Sequence, residues 1–209
     1  MSINDIKEIS ENVRAELKIV QSLFYSDGFF GSKLESINSG DEKIISWSKV
    51  NAFSIIPFYN ELAGFKSGEM LYKEPGGKRN IYCYLSKEED IDKVVSYNSK
   101  GEIEDVSFII RDENQFLEIR KNYQGGIVSL AQAFLDDEKK PLRSFFVNDD
   151  DNAVGYHYFY ASNKIDKILS VDMNSPLPYV LLSCLYDENC EIKEIFFYNK
   201  KGKVTVYPR

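Results

Sequence analysis

The sequence predicts an α+β fold, in which a helical N-terminal segment packs on a predominantly antiparallel β-meander sheet. Three observations favour this class. Apolar residues recur every three or four positions over the first 25 residues, the apolar period changes to two after Gly68, and hairpin-like units recur in the second half. We therefore expect a helical segment over 1–65 and a sheet of antiparallel hairpins over 66–209, joined in one continuous domain.

The first 25 residues have the pattern of an amphipathic helix. Charged side chains lie between the apolar positions, so one face of the helix is apolar and the other polar. Ser2 followed by Asp5 resembles a capping box, and Gly28 supplies a residue that tolerates a left-handed helix end. We place the helix at about 3–25. Its apolar positions are Ile3, Ile6, Ile9, Val13, Leu17, Val20 and Phe24.

The segment between Gly28 and Gly68 is less regular. A polar stretch at 36–41 interrupts it, and helical turns with loops fit the pattern best. The residues 54–57 end in a proline, which the first turn of a helix tolerates, so a short helix can start there and end at Gly64.

Beyond Gly68, short segments rich in Val, Ile, Phe and Tyr alternate with Gly, Asn and Asp. This pattern is typical of β-strands separated by turns. The residues 69–72 and 80–85 flank a Pro-Gly-Gly cluster, and we expect the two to pair as an antiparallel hairpin.

An internal similarity supports the meander. The residues 84–98 align without gaps with 134–148 and with 185–199, and a shorter copy covers 159–172. Each copy consists of a strand end, a charged turn, a second strand and a final Asn or Asp. Because the copies are irregularly spaced, we expect one curved sheet and not a regular solenoid.

The charge balance restricts the partners. The chain has 33 acidic and 26 basic residues and a formal charge of −7, which disfavours nucleic acid and anionic membranes and favours a basic protein partner. The N-terminus has no apolar run of the signal-peptide type, so we expect a cytoplasmic location. Three cysteines without close spacing are expected to be reduced thiols.

No catalytic centre is recognisable, so we predict no catalytic residues, no metal and no cofactor. His157 is the one histidine; strand alternation places it with Phe159, on the face opposite Tyr156, Tyr158 and Tyr160. A packed strand histidine is the expected role. A hydrolase with dispersed carboxylates, or with a Cys–His pair such as Cys184 and His157, stays open as the alternative.

The functional interpretation of the acidic turns is collective. If several hairpins project them from one sheet edge beside tyrosines, the result is a negative surface with aromatic anchors, which suits a basic protein. In the competing interpretation the tyrosines belong to the core and the acids only keep the chain soluble. The candidate partner-binding residues are Asp136, Asp137, Glu138, Asp149, Asp150, Asp151, Tyr156, Tyr158, Tyr160, Asp187 and Glu188.

Two resemblances accompany these residues. The stretches 97–103, 186–192 and 198–204 resemble the YD repeat of Rhs-type toxin shells, with Asn for Asp twice and Cys190 where glycine is usual. In character the whole chain resembles the immunity proteins of bacterial polymorphic or contact-dependent toxin systems. That resemblance implies a cytoplasmic protein that binds and neutralises a cognate, basic toxin domain. A shell fragment of the YD-repeat kind would need more regular repeats than this chain has.

Overall fold

A computed structural model describes residues 2–26, 28–35 and 42–208, and it confirms the α+β class with an N-terminal helix on an antiparallel meander. The helices are α1 (Ile3–Phe24), α2 (Phe29–Glu35) and α3 (Tyr59–Leu62). The strands are β1 (Lys43–Ser48), β2 (Ile81–Ser86), β3 (Lys93–Tyr97), β4 (Ile103–Asp112), β5 (Gln115–Asn122), β6 (Ile127–Leu135), β7 (Pro141–Asn148), β8 (Ala153–Ala161), β9 (Lys164–Asp172), β10 (Val180–Tyr186), β11 (Ile192–Asn199) and β12 (Gly202–Tyr207).

All of these strands form one sheet whose spatial order follows the chain, from β1 to β12. Every neighbouring pair is antiparallel. In such a meander the successive turns alternate between the two ends of the strands. The turns therefore lie in two sets at opposite ends of the sheet. The two ends are one strand length apart, which is roughly 25 Å for a strand of eight residues.

Helix α1 covers one face of the sheet, which we call the helix face. Its capping box forms as predicted, since the Ser2 side chain accepts from the Asp5 amide and the Asp5 carboxylate accepts from the Ser2 amide. The buried stripe of α1, including Val13 and Leu17, packs on residues of β5 to β9 such as Phe145. Burial of this stripe fixes the helix on the centre of the meander.

The end of α1 differs from the prediction. The cap is Tyr25, with φ −89° and ψ 6°, so the helix ends three residues before Gly28. The helix α2 then begins at Phe29.

The opposite face of the sheet, which we call the loop face, is covered by the 50–68 segment. Ile55 and Ile56 are buried against Ile109, Ala131 and Ala133 of the sheet. The predicted short helix is present as α3, and Gly64 follows it with φ +89°. The segment therefore closes the second half of the core.

Strand β1 corrects the prediction of helical turns between 28 and 68. Strand-favouring residues such as Ile44 and Trp47 pair with β2, and Trp47 is buried. The predicted hairpin of 69–72 with 80–85 is therefore wrong, because β1 occupies that side of β2. The first of these segments forms only an isolated bridge, from Leu71 to Trp47. The predicted break at 36–41 lies outside the described residues.

The four similar units are confirmed as hairpins. They correspond to β2–β3, β6–β7, β8–β9 and β10–β11. Their final Asn or Asp opens the next turn: the Asn98 side chain, for example, accepts from the amides of Lys100 and Glu102. In three of the four copies the residue three positions after it adopts a positive φ: Gly101 at +83°, Asp151 at +60° and Gly202 at +123°. This geometry explains the local likeness to YD repeats, because it needs only Asn or Asp followed three residues later by a residue that tolerates the left-handed region.

Candidate functional site

The turns at one end of the strands form a strongly acidic border, which we call the acidic rim. It consists of the turns 87–92, 113–114, 136–140, 162–163 and 187–191. For comparison, the opposite end of the strands has only four acidic and three basic residues, in the turns 98–102, 123–126, 149–152, 173–179 and 200–201. The rim has eleven acidic residues and three basic ones. The acidic members are Glu88, Glu89, Asp90, Asp92, Glu113, Asp136, Asp137, Glu138, Asp187, Glu188 and Glu191, and the basic members are Lys87, Lys139 and Lys140.

Two lysines connect neighbouring turns of the rim. Lys139 Nζ donates to the Glu113 carbonyl oxygen at 2.7 Å and to Asn114 Oδ1 at 3.0 Å. Lys140 Nζ donates to Asn163 Oδ1 at 3.0 Å and also pairs with Glu138. The 136–140 turn therefore contacts both the 113–114 and the 162–163 turn, and the rim is continuous across these three turns.

The acidic residues of the rim have two different roles. The Oδ1 atoms of Asp136 and Asp187 each accept two backbone amides of their own turns, at 2.9 Å. These two carboxylates hold the hairpin geometry. Asp137 and Glu188 lie at the turn tips, where their side chains are exposed. Contact with a partner is therefore open to the tip residues without loss of the turn.

The structure divides the predicted partner-binding set. Asp136, Asp137, Glu138, Asp187 and Glu188 belong to the acidic rim, whereas Asp149, Asp150 and Asp151 lie in the β7–β8 turn at the opposite end. Asp151 Oδ1 there accepts the Tyr25 hydroxyl at 2.5 Å, and this hydrogen bond raises the pKa of Tyr25. The single surface expected from the sequence does not include this turn, because one strand length separates the two ends.

The three tyrosines point to the loop face, as strand alternation predicts, but they are not free anchors. Tyr158 is 1% exposed and hydrogen-bonds to Ser144, so it cannot contact a partner. Tyr156 packs on the cluster beneath the 50–68 segment. Tyr160 lies nearest the rim, but its hydroxyl donates to the Pro141 carbonyl oxygen at 2.7 Å. For Tyr158 the core interpretation is therefore correct.

The candidate Cys–His pair does not form. His157 pairs with Leu169 on the helix face, whereas Cys184 belongs to the cluster of Tyr158 and Ile168 on the loop face. The sheet itself separates the imidazole from the thiol. Burial, followed by the nearby Asp166 carboxylate, also raises the pKa of Cys184 to about 12, so the nucleophilic thiolate is scarce at neutral pH.

Two of the dispersed carboxyl groups, those of Asp105 and Glu118, lie near Arg120 on the loop face. Asp105 lies 3.9 Å from Arg120, and burial raises the pKa of the carboxyls of Asp105 and Glu118. The cavity beside Glu118 and Arg120 measures about 20 Å³, enough for about one water molecule. A substrate does not fit there, so this cluster does not favour the hydrolase alternative.

Several rim residues were missed by the sequence analysis. Glu88, Glu89 and Asp90 form the β2–β3 turn, in which Asp92 pairs with Arg111 at 3.2 Å. These rim residues could have been identified from whether each turn is odd- or even-numbered along the meander. In a meander every second turn lies at the same end, so counting hairpins from β2 assigns each acidic turn to its end.

Comparison with protein-family models, with curated proteins and with solved structures finds no match to this chain. Within 2–26, 28–35 and 42–208, no helix is both long and apolar enough to cross a membrane. The same residues contain no group of three His, Cys, Asp or Glu side chains placed to hold a metal ion.

Proposed function

We propose that this chain is a cytoplasmic immunity protein, which binds and neutralises a cognate bacterial toxin domain through its acidic rim. The supporting observation is the charge difference between the two ends of the meander, eleven acidic against three basic residues on the rim. A surface of one sign attracts a partner of the other sign and accelerates its association. A basic toxin face, such as a substrate-binding groove, has the matching charge.

Neutralisation follows from occlusion in this proposal. The rim spans at least three contacting turns, and its tip carboxylates are exposed, so a basic groove can be covered without rearrangement of the sheet. The chain contributes contacts and no chemistry to this process.

The test is co-expression with the toxin-like C-terminal domain of a protein encoded beside this gene. We expect the chain to restore growth of cells that express the domain and to co-purify with it. A chain of similar size and charge without this fold serves as the control for nonspecific charge effects. The proposal fails if the neighbouring product is harmless, or if this chain is expressed in folded form and does not rescue growth.

A further inference from the structure

An open pocket borders the acidic rim where the last rim turn meets the loop face. The 50–68 segment forms one wall, the residues Cys190 and Glu191 of the rim form the second, and Tyr207 of β12 closes it. Its volume is about 490 Å³, within the range of sites that accept a ligand or a long side chain. The position and size allow a partner that lies on the rim to insert one side chain.

A buried carboxylate lines this pocket. Glu61 of α3 is only 5% exposed, and its Oε1 accepts the Ser67 amide at 3.0 Å. Within the described part of the chain, Oε2 has no hydrogen-bond partner, and Glu61 has no ion pair. Oε2 is not among the fully buried polar atoms that lack a partner, so it is reachable from the pocket, and a cation that enters can pair with it.

The cation nearest to the pocket does not compensate Glu61. Lys66 is 71% exposed at the side chain and pairs with Glu69 at 3.8 Å. Glu191 adds a further negative charge at the wall. The pocket therefore has an excess of negative charge, and its one lysine faces solvent.

Aromatic and apolar residues form part of the remaining walls, beside the polar Ser54, Asn60 and Ser67. Phe58, Tyr59 and Tyr207 line the pocket together with Ile192. An arginine side chain fits both features, because its methylene stem packs on apolar walls, its guanidinium stacks on aromatic faces, and its fixed donors match a carboxylate.

We propose that this pocket binds an arginine side chain of the protein partner, with Glu61 as the carboxylate that pairs with the guanidinium. The proposal rests on the proposed function for the identity of the partner. The recognition chemistry itself is a property of the isolated chain and is open to measurement without the toxin.

The first experiment titrates the ¹⁵N-labelled protein with Nα-acetyl-arginine methylamide and follows the amide shifts. We expect saturable shifts at Ser67 and its neighbours with millimolar affinity, and no saturation with the uncharged citrulline analogue. Glu61→Gln keeps an oxygen acceptor for the Ser67 amide and should abolish saturation. The matched control, Glu8→Gln, removes the same charge from an exposed side chain of α1, on the face of the sheet opposite the pocket, and should bind within about twofold of the wild type.

Two results would contradict the proposed arginine site. One is saturable binding of citrulline as tight as that of arginine, and the other is unchanged arginine binding by folded Glu61→Gln. The arginine and citrulline comparison on the wild type decides the question if Glu61→Gln does not fold. If the chain restores growth of toxin-expressing cells but does not bind arginine, the pocket proposal is rejected and the immunity proposal stands. Arginine binding without rescue rejects the immunity proposal and keeps the pocket.

Discussion

At the scale of single residues, His157 gives the chain a distinct pH response. Burial, followed by the neighbouring Arg143, which itself pairs with Glu16 at 2.6 Å, lowers the pKa of His157. The folded protein then binds fewer protons than the unfolded chain below the ordinary histidine pKa of about 6.5. The free energy of unfolding therefore decreases as the pH falls through this value toward the lower pKa of the folded state.

We expect His157→Gln to make stability less dependent on pH between 7.5 and 5. Because His157 is the one histidine, no other imidazole obscures the comparison. Urea unfolding of both proteins at several pH values measures the difference. Parallel pH profiles of the two free energies would show that the folded environment does not disfavour the charged imidazole.

Cys190 is a second residue whose effect is local. It occupies the fourth turn position with φ +65°, where the equivalent residue of the β3–β4 turn is Gly101. A side chain in the left-handed region costs about 1 kcal/mol, and glycine avoids that cost. We expect Cys190→Gly to raise the free energy of unfolding by up to about 1 kcal/mol under reducing conditions, measured by urea unfolding.

Asn189→Gly provides the control for this change. Asn189 precedes Cys190 in the same exposed turn but does not have a positive φ. Glycine there adds backbone freedom and relieves no strain, so this variant should not be stabilised. Equal stabilisation by both variants would contradict the strain argument.

At the scale of elements, α1 can approach the sheet closely because β8 has a glycine beneath it. A Cβ atom on Gly155 would lie 2.8 Å from Val13 Cγ1 and 3.1 Å from Phe145 Cδ1. The close contact between helix and sheet therefore requires that residue 155 of β8 has no side chain, because the branched side chain of Val13 of α1 occupies that space.

We expect Gly155→Ala to lower the free energy of unfolding by about 1–3 kcal/mol, because the added methyl group overpacks this contact. Val13→Ala removes the atom that would clash, so the double variant should lose less stability than the sum of the two single variants. Gly76→Ala, whose new Cβ meets nothing within 4 Å, is the control and should change stability by less than about 0.5 kcal/mol. Strict additivity at 13 and 155 would contradict the close packing.

At the scale of the whole molecule, the separation of charge between the two ends makes a prediction for partner binding. Two double variants change the net charge equally, but at opposite ends of the strands. The rim variant is Asp137→Lys/Glu188→Lys, and the opposite-end variant is Asp149→Lys/Asp150→Lys. We expect the rim variant to associate with the partner about tenfold more slowly and with a weaker salt dependence. Stopped-flow or surface-based kinetics at several salt concentrations measure both effects.

The opposite-end variant should associate within about twofold of the wild type, because its changes lie roughly one strand length from the rim and the Debye length at physiological salt is about 8 Å. Equal slowing of both variants would assign the steering to the net charge of −7 and not to the rim.

The sequence by itself determined much of the local structure of this protein. The period of apolar residues predicted α1 nearly to the residue, and the aligned units predicted four of the hairpins, because both depend on neighbours close in the chain. Strand alternation also predicted which residues of β8 share a face with His157.

Only the tertiary structure decided which of these parts meet. It paired β1 with β2 in place of the expected hairpin, placed the 50–68 segment over Tyr158, and assigned Asp149 to the end opposite Asp137. Glu61 carried no signal in the sequence, because its burial depends on contacts between segments. Strand pairing, side-chain burial and the grouping of charges depend on contacts between residues distant in sequence, so they cannot be derived from a local sequence pattern.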